Sequence, residues 1–144
     1  MNKPRVFLDS SVIIAALLSS RGGSFYILTH LHEQAELQIN EYVFAEVRAV
    51  LEQKFADRPE LASTLFLMLG LAGVETVADP SIRAVRQAAK LISKNDAPIL
   101  SSAMTGCNYL ITLDKEFFKT NIMSAAREGG LTICTPGDFI QQLR

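Results

Sequence analysis

Asp9, Glu46, Asp96 and Asp114 are the side chains whose types and spacing offer this chain a route to chemistry. Asp9 directly follows the apolar run Val6-Phe7-Leu8, and Asp114 ends the run Tyr109-Leu110-Ile111-Thr112-Leu113. Asp96 precedes Ile99, Leu100 and Ala103 at helical intervals, so a carboxylate shares the face that packs on a core. Glu46 stands between Val43 and Val50 on one helical row and borders their apolar stripe. Taken singly, each acid has a plain structural account. Asp9 and Asp96 can cap helices, Glu46 can be an edge glutamate and Asp114 a solvated turn. Taken together, two acids end strands and two flank helices that pack near those strands. Carboxylates brought together repel unless cations neutralise them. Hard oxygen donors select Mg²⁺ or Mn²⁺. A cation so held can activate water and stabilise an in-line displacement at phosphorus.

Other chemistries lack the residues they need. His30 and His32 are the only histidines, expected on the surface of one helical segment. Cys107 and Cys134 are far apart and without metal-binding spacing, which predicts reduced thiols in a cytosolic protein and no zinc cluster. A phosphatase of the haloacid dehalogenase type needs a second acid two residues after the first, where Ser11 stands. A receiver domain needs a paired acid cluster, a central phospho-acceptor aspartate and a late lysine, which cannot all be placed. Gly22-Gly23 follows the first helix and is not trailed by the Lys-Ser or Lys-Thr of a phosphate loop.

The elements that must position the acids follow from periodicity. Arg5 to Asp9 reads as a buried strand, and Ser10 or Ser11 caps a helix through Leu18. Ser19 to Ser24 is a loop, Phe25 to Ala35 helical, and Leu37 to Asn40 a second strand. Glu41 to Phe55 is helical by the spacing of Val43, Phe44, Val47, Val50 and Leu51. Another helix starts near Pro59 and closes at Gly70 and Gly73. It carries Leu61, Leu65, Met68 and Leu69 on one side and Phe66, Leu67 and Leu71 on the other, which predicts a helix covered on more than one side: a helix of the core is the simpler account, and a second copy or a partner protein is the other. Val74 to Ala78 is a third strand, and Asp79-Pro80 opens a helix reaching Ile92. Asn95 begins a helix with Pro98 in its first turn. Tyr109 to Leu113 and Leu131 to Cys134 are strands, and Thr135 caps a last helix from Pro136. Strands alternating with helices, each strand a short apolar run, predict an α/β fold with a mostly parallel sheet covered on both faces. In such sheets ligands bind at the carboxyl ends of the strands, where Asp9 and Asp114 stand.

The totals agree. At 144 residues, 49% hydrophobic and 20% charged, the chain has the size and composition of one folded domain spanning residues 1–144. A net charge of −1 argues against binding nucleic acid through bulk positive charge. Arg5, Arg21, Lys90, Lys94, Lys115 and Lys119 are scattered cations that could reach phosphates, although such residues are ordinarily solvated. No apolar stretch reaches the ~18 residues of a membrane span, and Asp9 interrupts any leader-like run, so a cytoplasmic protein is expected.

The motifs resemble those of PIN domains. Leu8-Asp9-Ser10-Ser11-Val12-Ile13 is similar to the opening motif, and Glu46-Val47-Arg48-Ala49-Val50-Leu51 to the glutamate-bearing helix. Asp96-Ala97-Pro98-Ile99-Leu100-Ser101-Ser102-Ala103 is similar to the third motif, and Tyr109 to Phe117 to the fourth. Thr135-Pro136 before Phe139 resembles the usual ending. The likeness runs through nearly the whole chain and is greatest to prokaryotic single-domain PIN proteins, many of them toxins of toxin–antitoxin pairs. It implies a three-layer α/β/α, Rossmann-like fold and Mg²⁺- or Mn²⁺-dependent cleavage of single-stranded RNA, commonly by a dimer. It also implies roles: Asp9, Glu46, Asp96 and Asp114 as metal ligands or water-positioning groups, Ser10 and Thr112 as hydroxyls orienting them, and Glu116 as an auxiliary acid. Ser11 departs from the family, in which asparagine is frequent there. A non-catalytic PIN-fold module that binds RNA or a protein is the alternative.

Overall fold

The computed structural model describes residues 2–144. Five strands, β1 (Arg5–Leu8), β2 (Glu36–Asn40), β3 (Glu75–Val77), β4 (Tyr109–Ile111) and β5 (Thr132–Cys134), form one parallel sheet in the order β3-β2-β1-β4-β5. Between them lie the helices α1 (Ser10–Leu18), α2 (Gly23–His30), α3 (Glu41–Lys54), α4 (Glu60–Leu71), α5 (Ile82–Ala88), α6 (Ala97–Met104) and α7 (Thr120–Glu128), and α8 (Pro136–Gln142) follows β5. Parallel neighbours require crossovers, and right-handed crossovers fix the layers. The chain steps from β1 through β2 to β3 in one direction, which puts α1 to α4 on one face. It then crosses to β4 and β5 in the other direction, which puts α5 to α7 on the opposite face. The packing agrees: α1 touches α2, α3 and α4, while α5 packs on α6. This is the expected three-layer α/β/α arrangement.

The central strands are apolar because both faces are covered. Val6, Phe7 and Leu8 of β1 and Leu110 and Ile111 of β4 are wholly buried. Register places Leu8 opposite Ile111, so the chain leaves both strands at the same level, next to one another. β1 is also where the strand order reverses direction. Asp9 and Asp114 therefore emerge at the topological switch point, where open α/β sheets form their binding crevice.

Several boundaries differ from those the sequence predicts, for local reasons. Asp9 itself caps α1, its carboxylate accepting from the backbone N–H of Ser10, so the cap is not Ser10 or Ser11. The second helix is α2, from Gly23 to His30, and does not run on to Ala35. Residues 31–35 turn, and His32 is half-buried rather than on the surface of a helix. Ser81, not Asp79, caps α5, which ends at Ala88, with turns filling residues 89–96. β4 stops at Ile111, and Thr112 and Leu113 run beyond the ladder. Residues 115–128, to which periodicity assigns no element, form a short 3₁₀ turn (Lys115–Phe118) and α7. Only Ile122 and Ala126 of α7 are fully buried, so its apolar row is short. Gly73 adopts a positive φ of 64° beyond α4, where Val74 N–H donates to the Leu69 carbonyl and ends the helix.

Candidate active site

The four acids come from four elements that meet at the carboxyl end of the sheet. Asp9 follows β1, Asp114 follows β4, Glu46 lies midway along α3 and Asp96 stands directly before α6. Asp9 is the most buried. Its Oδ1 accepts from Ser10 N–H at 2.8 Å, and its Oδ2 accepts from the hydroxyls of Ser11 and Thr112, each at 2.7 Å. Burial pushes the Asp9 carboxyl above its ordinary value, outweighing these hydrogen bonds, and the nearby Asp114 charge adds to the rise.

Thr112 joins the two strand ends. Wholly buried, its Oγ1 donates to Asp9 and accepts from Asp114 N–H at 3.0 Å. Asp114 Oδ1 accepts in turn from Glu116 N–H at 3.0 Å. Ser11 repeats the link on the other side, its hydroxyl donating to Asp9 and accepting from Leu113 N–H at 3.0 Å. The shorter side chain at position 11 therefore still supports Asp9. Ser10 donates its hydroxyl to Glu46 Oε1, which ties the helix-borne glutamate to the strand-end aspartate.

Glu46 and Asp96 are half-buried, and both carboxyls are raised. Burial is the main cause in each. Asp9, Asp96 and Asp114 add charge repulsion at Glu46, and Asp114, Asp9 and Glu116 do so at Asp96. Asp96 occupies the cap position of α6 yet makes no capping bond; its Oδ2 accepts from the Ser93 hydroxyl at 3.0 Å. The capping account of this acid therefore does not hold. Glu116 is exposed at the rim, and its Oε2 lies 2.9 Å from Lys119 Nζ.

The structure thus brings Asp9, Glu46, Asp96, Asp114, Ser10 and Thr112 into one coupled cluster, with Glu116 at its edge. Periodicity and motif reading do not pick out Ser93, Asn40 or Tyr42, and they name Ser11 only as a helix cap and a departure from the family pattern. Ser11 and Ser93 carried only a faint signal, a small hydroxyl within three positions of a candidate acid. The histidines take no part: His30 stacks on Tyr26 in α2, and His32 lies beyond that helix. A concavity of about 1000 Å³ lined by Arg5, Glu36, Gly106 and Asn108 opens at the other end of the strands and contains none of the acids.

A divalent cation fits this cluster in charge and donor type. Among the described residues, ion pairs form elsewhere, and no lysine or arginine lies within pairing distance of Asp9, Glu46, Asp96 or Asp114. The carboxylates are also turned toward their hydroxyl and amide donors, and among the described residues no three acids, histidines or cysteines converge in direct coordination geometry.

Comparison with known proteins gives a consistent result. The PIN domain family profile matches residues 6–122. No curated protein sequence matches. Among solved structures, the chain is similar to VapBC2 from Rickettsia felis, bound to a DNA fragment from its promoter. The TM-score is 0.65 at 19% identity, covering 91% of this chain and 98% of that one. It is likewise similar to PAE2754 from Pyrobaculum aerophilum, with a TM-score of 0.66 at 18% identity, covering 97% of this chain and 89% of that one. At such identities the likeness is one of fold.

Proposed function

Since the chain belongs to the PIN-domain family, whose members are generally nucleases, we propose that it is a Mg²⁺- or Mn²⁺-dependent endoribonuclease that hydrolyses single-stranded RNA, and that it is the toxin of a toxin–antitoxin pair. The observation that carries the catalytic reading is the cluster of four mutually repelling carboxylates at the switch point, with no lysine or arginine among the described residues within pairing distance of any of the four. Such a cluster is costly to fold and has a use once a cation is bound. The ion supplies Lewis-acid stabilisation of the charge that builds on the scissile phosphate oxygens.

The chain's own groups divide the remaining work. Asp9 and Asp114, joined through Thr112, hold two carboxyl groups at the strand ends. Glu46 and Asp96 sit on the helical side of the crevice. Both are placed to take a proton from an attacking water at a carboxylate oxygen. Ser10 holds Glu46 Oε1 in place. Lys115, next to Asp114 in the chain, and Lys119, paired with Glu116, are both exposed and suited to steer a phosphate backbone.

The partner reading draws on two features. One solved relative, VapBC2, was found bound to promoter DNA. In addition, α4 buries Leu61, Leu65 and Leu69 but leaves Phe66, Leu67 and Leu71 between 57% and 72% exposed. A second copy of the chain or an antitoxin would cover that face, and a cytoplasmic setting accompanies the reading. The test of function is direct. Purified protein with Mn²⁺ should cut labelled single-stranded RNA, and EDTA should stop it. Full cleavage in EDTA would overturn the metal mechanism. Failure of the folded protein to bind Mn²⁺ at all would favour a non-catalytic binding module.

A further inference from the structure

We infer that Asn40 and Tyr42 form a clamp that sets the backbone carrying Asp96 against the helix carrying Glu46. The inference rests on reading these two acids as parts of one cation site. Asn40 ends β2, caps α3 and is wholly buried. Its Oδ1 accepts from Val43 N–H at 2.8 Å, which is all that capping requires; Ser, Thr or Asp would serve as well. The amide nitrogen is left over. It donates to the Ser102 hydroxyl at 2.8 Å and to the Pro98 carbonyl at 3.2 Å, both on α6. A buried amide nitrogen is costly unless its hydrogens find acceptors, so these bonds are what make an asparagine acceptable here.

Tyr42 adds a second point two residues on. Its phenol donates to the Asn95 carbonyl at 2.8 Å, while its own N–H donates to Asp79 Oδ1 at 2.9 Å. Asp96 therefore lies between two anchored carbonyls, one on the residue before it and one two residues after it. Its own carboxylate gives α6 no cap, and the residues leading to it are turns. Its placement consequently depends on what holds the Asn95–Pro98 segment. Glu46 is one helical turn beyond Tyr42 on the same side of α3. The clamp thus joins the segment that carries Asp96 to the helix that carries Glu46. Asn40 and Tyr42 are positioning residues, distinct from the acids that would meet the cation.

The test uses Asn40→Ser, which keeps the cap and removes the amide arm, Tyr42→Phe, which removes only the hydroxyl, and the double variant. Thr135→Ala, at the cap of α8, is the control for a helix cap lost elsewhere. Two quantities are measured: amide hydrogen exchange over residues 95–100 in metal-free protein, and Mn²⁺ affinity by calorimetry. The double variant should exchange about tenfold faster over that segment while β1 and β4 stay protected. Its Mn²⁺ affinity should fall about 10- to 100-fold, each single variant should move part of the way, and the control should move neither quantity. Unchanged exchange would overturn the clamp. Faster exchange with unchanged Mn²⁺ affinity would reduce these bonds to ordinary structure and overturn their positioning role. If the parent protein bound no Mn²⁺, the metal reading would fall alone, and the exchange result would still decide whether the clamp holds the segment.

Discussion

At the scale of single residues, Asp96 separates chemistry from folding most cleanly. Its carboxylate caps nothing and accepts one hydroxyl hydrogen bond, from Ser93, which an amide oxygen can also accept. Asp96→Asn should therefore fold normally. Its melting temperature in EDTA should match or exceed the parent's, because repulsion within the cluster is relieved. Cleavage in Mn²⁺ should fall by about two orders of magnitude or more, as expected when a hard cation loses a charged donor. A folded Asn variant cutting at the parent rate would remove Asp96 from the site. Thr112 behaves differently. Thr112→Val deletes a wholly buried hydroxyl that serves Asp9 and Asp114 N–H together. At neutral pH it should cost about 1.5–3 kcal/mol in urea denaturation, the range for a hydrogen bond to a charged group.

At the scale of elements, the exposed side of α4 has a consequence that hydrodynamics can read. Leu67→Glu with Leu71→Glu alters positions that are 62% and 72% exposed, so the monomer's stability should change by no more than about 0.5 kcal/mol per site. If a second copy covers this face, the parent should sediment as a dimer and the variant as a monomer. A parent that stays monomeric at high concentration would exclude the dimer. This element also shows what a sequence pattern can carry. The apolar residues around α4 were legible, and so was the division into a core row and a second row. Strand-end acids were legible because parallel strands are apolar runs that stop abruptly. Residues 115–128 were not legible as helix, because α7 buries little more than Ile122 and Ala126. The clamp was not legible either: Asn40 and Ser102 are 62 positions apart, and no local period links them. The sequence likewise does not reveal which hydroxyl serves which acid, since Thr112 reaches Asp9 across 103 positions.

For the whole molecule, the raised carboxyls predict how stability follows pH. In the folded state, burial and mutual repulsion hold Asp9 and Asp96 above 3.8 and Glu46 above 4.5. Over the window between those ordinary values and the raised ones, the folded protein binds more protons than the unfolded chain. Stability therefore falls as pH rises through the window, and the benefit of protonation is complete only below the ordinary values. Urea midpoints in EDTA should decline as pH rises from the ordinary carboxylate values into that window. Mn²⁺ at the upper end should raise them, by about 2.7 kcal/mol at a hundredfold excess over its dissociation constant. A midpoint that climbs with pH in EDTA would show that these acids are better stabilised in the fold than their surroundings imply.

The sheet order has a further consequence, one of timing. β1 is laid down first, yet it lacks a neighbour on one side until β4 arrives, and Asp9 N–H finds the Ile111 carbonyl only then. Closing so long a loop is slow, and domains fold as units as the chain emerges. A ribosome that has passed Asp9, Glu46 and Asp96 has made three of the four acids but not the strand that gathers them. Under the proposed function, a chain that stops before β4 carries acids of the site without the strand end that completes it.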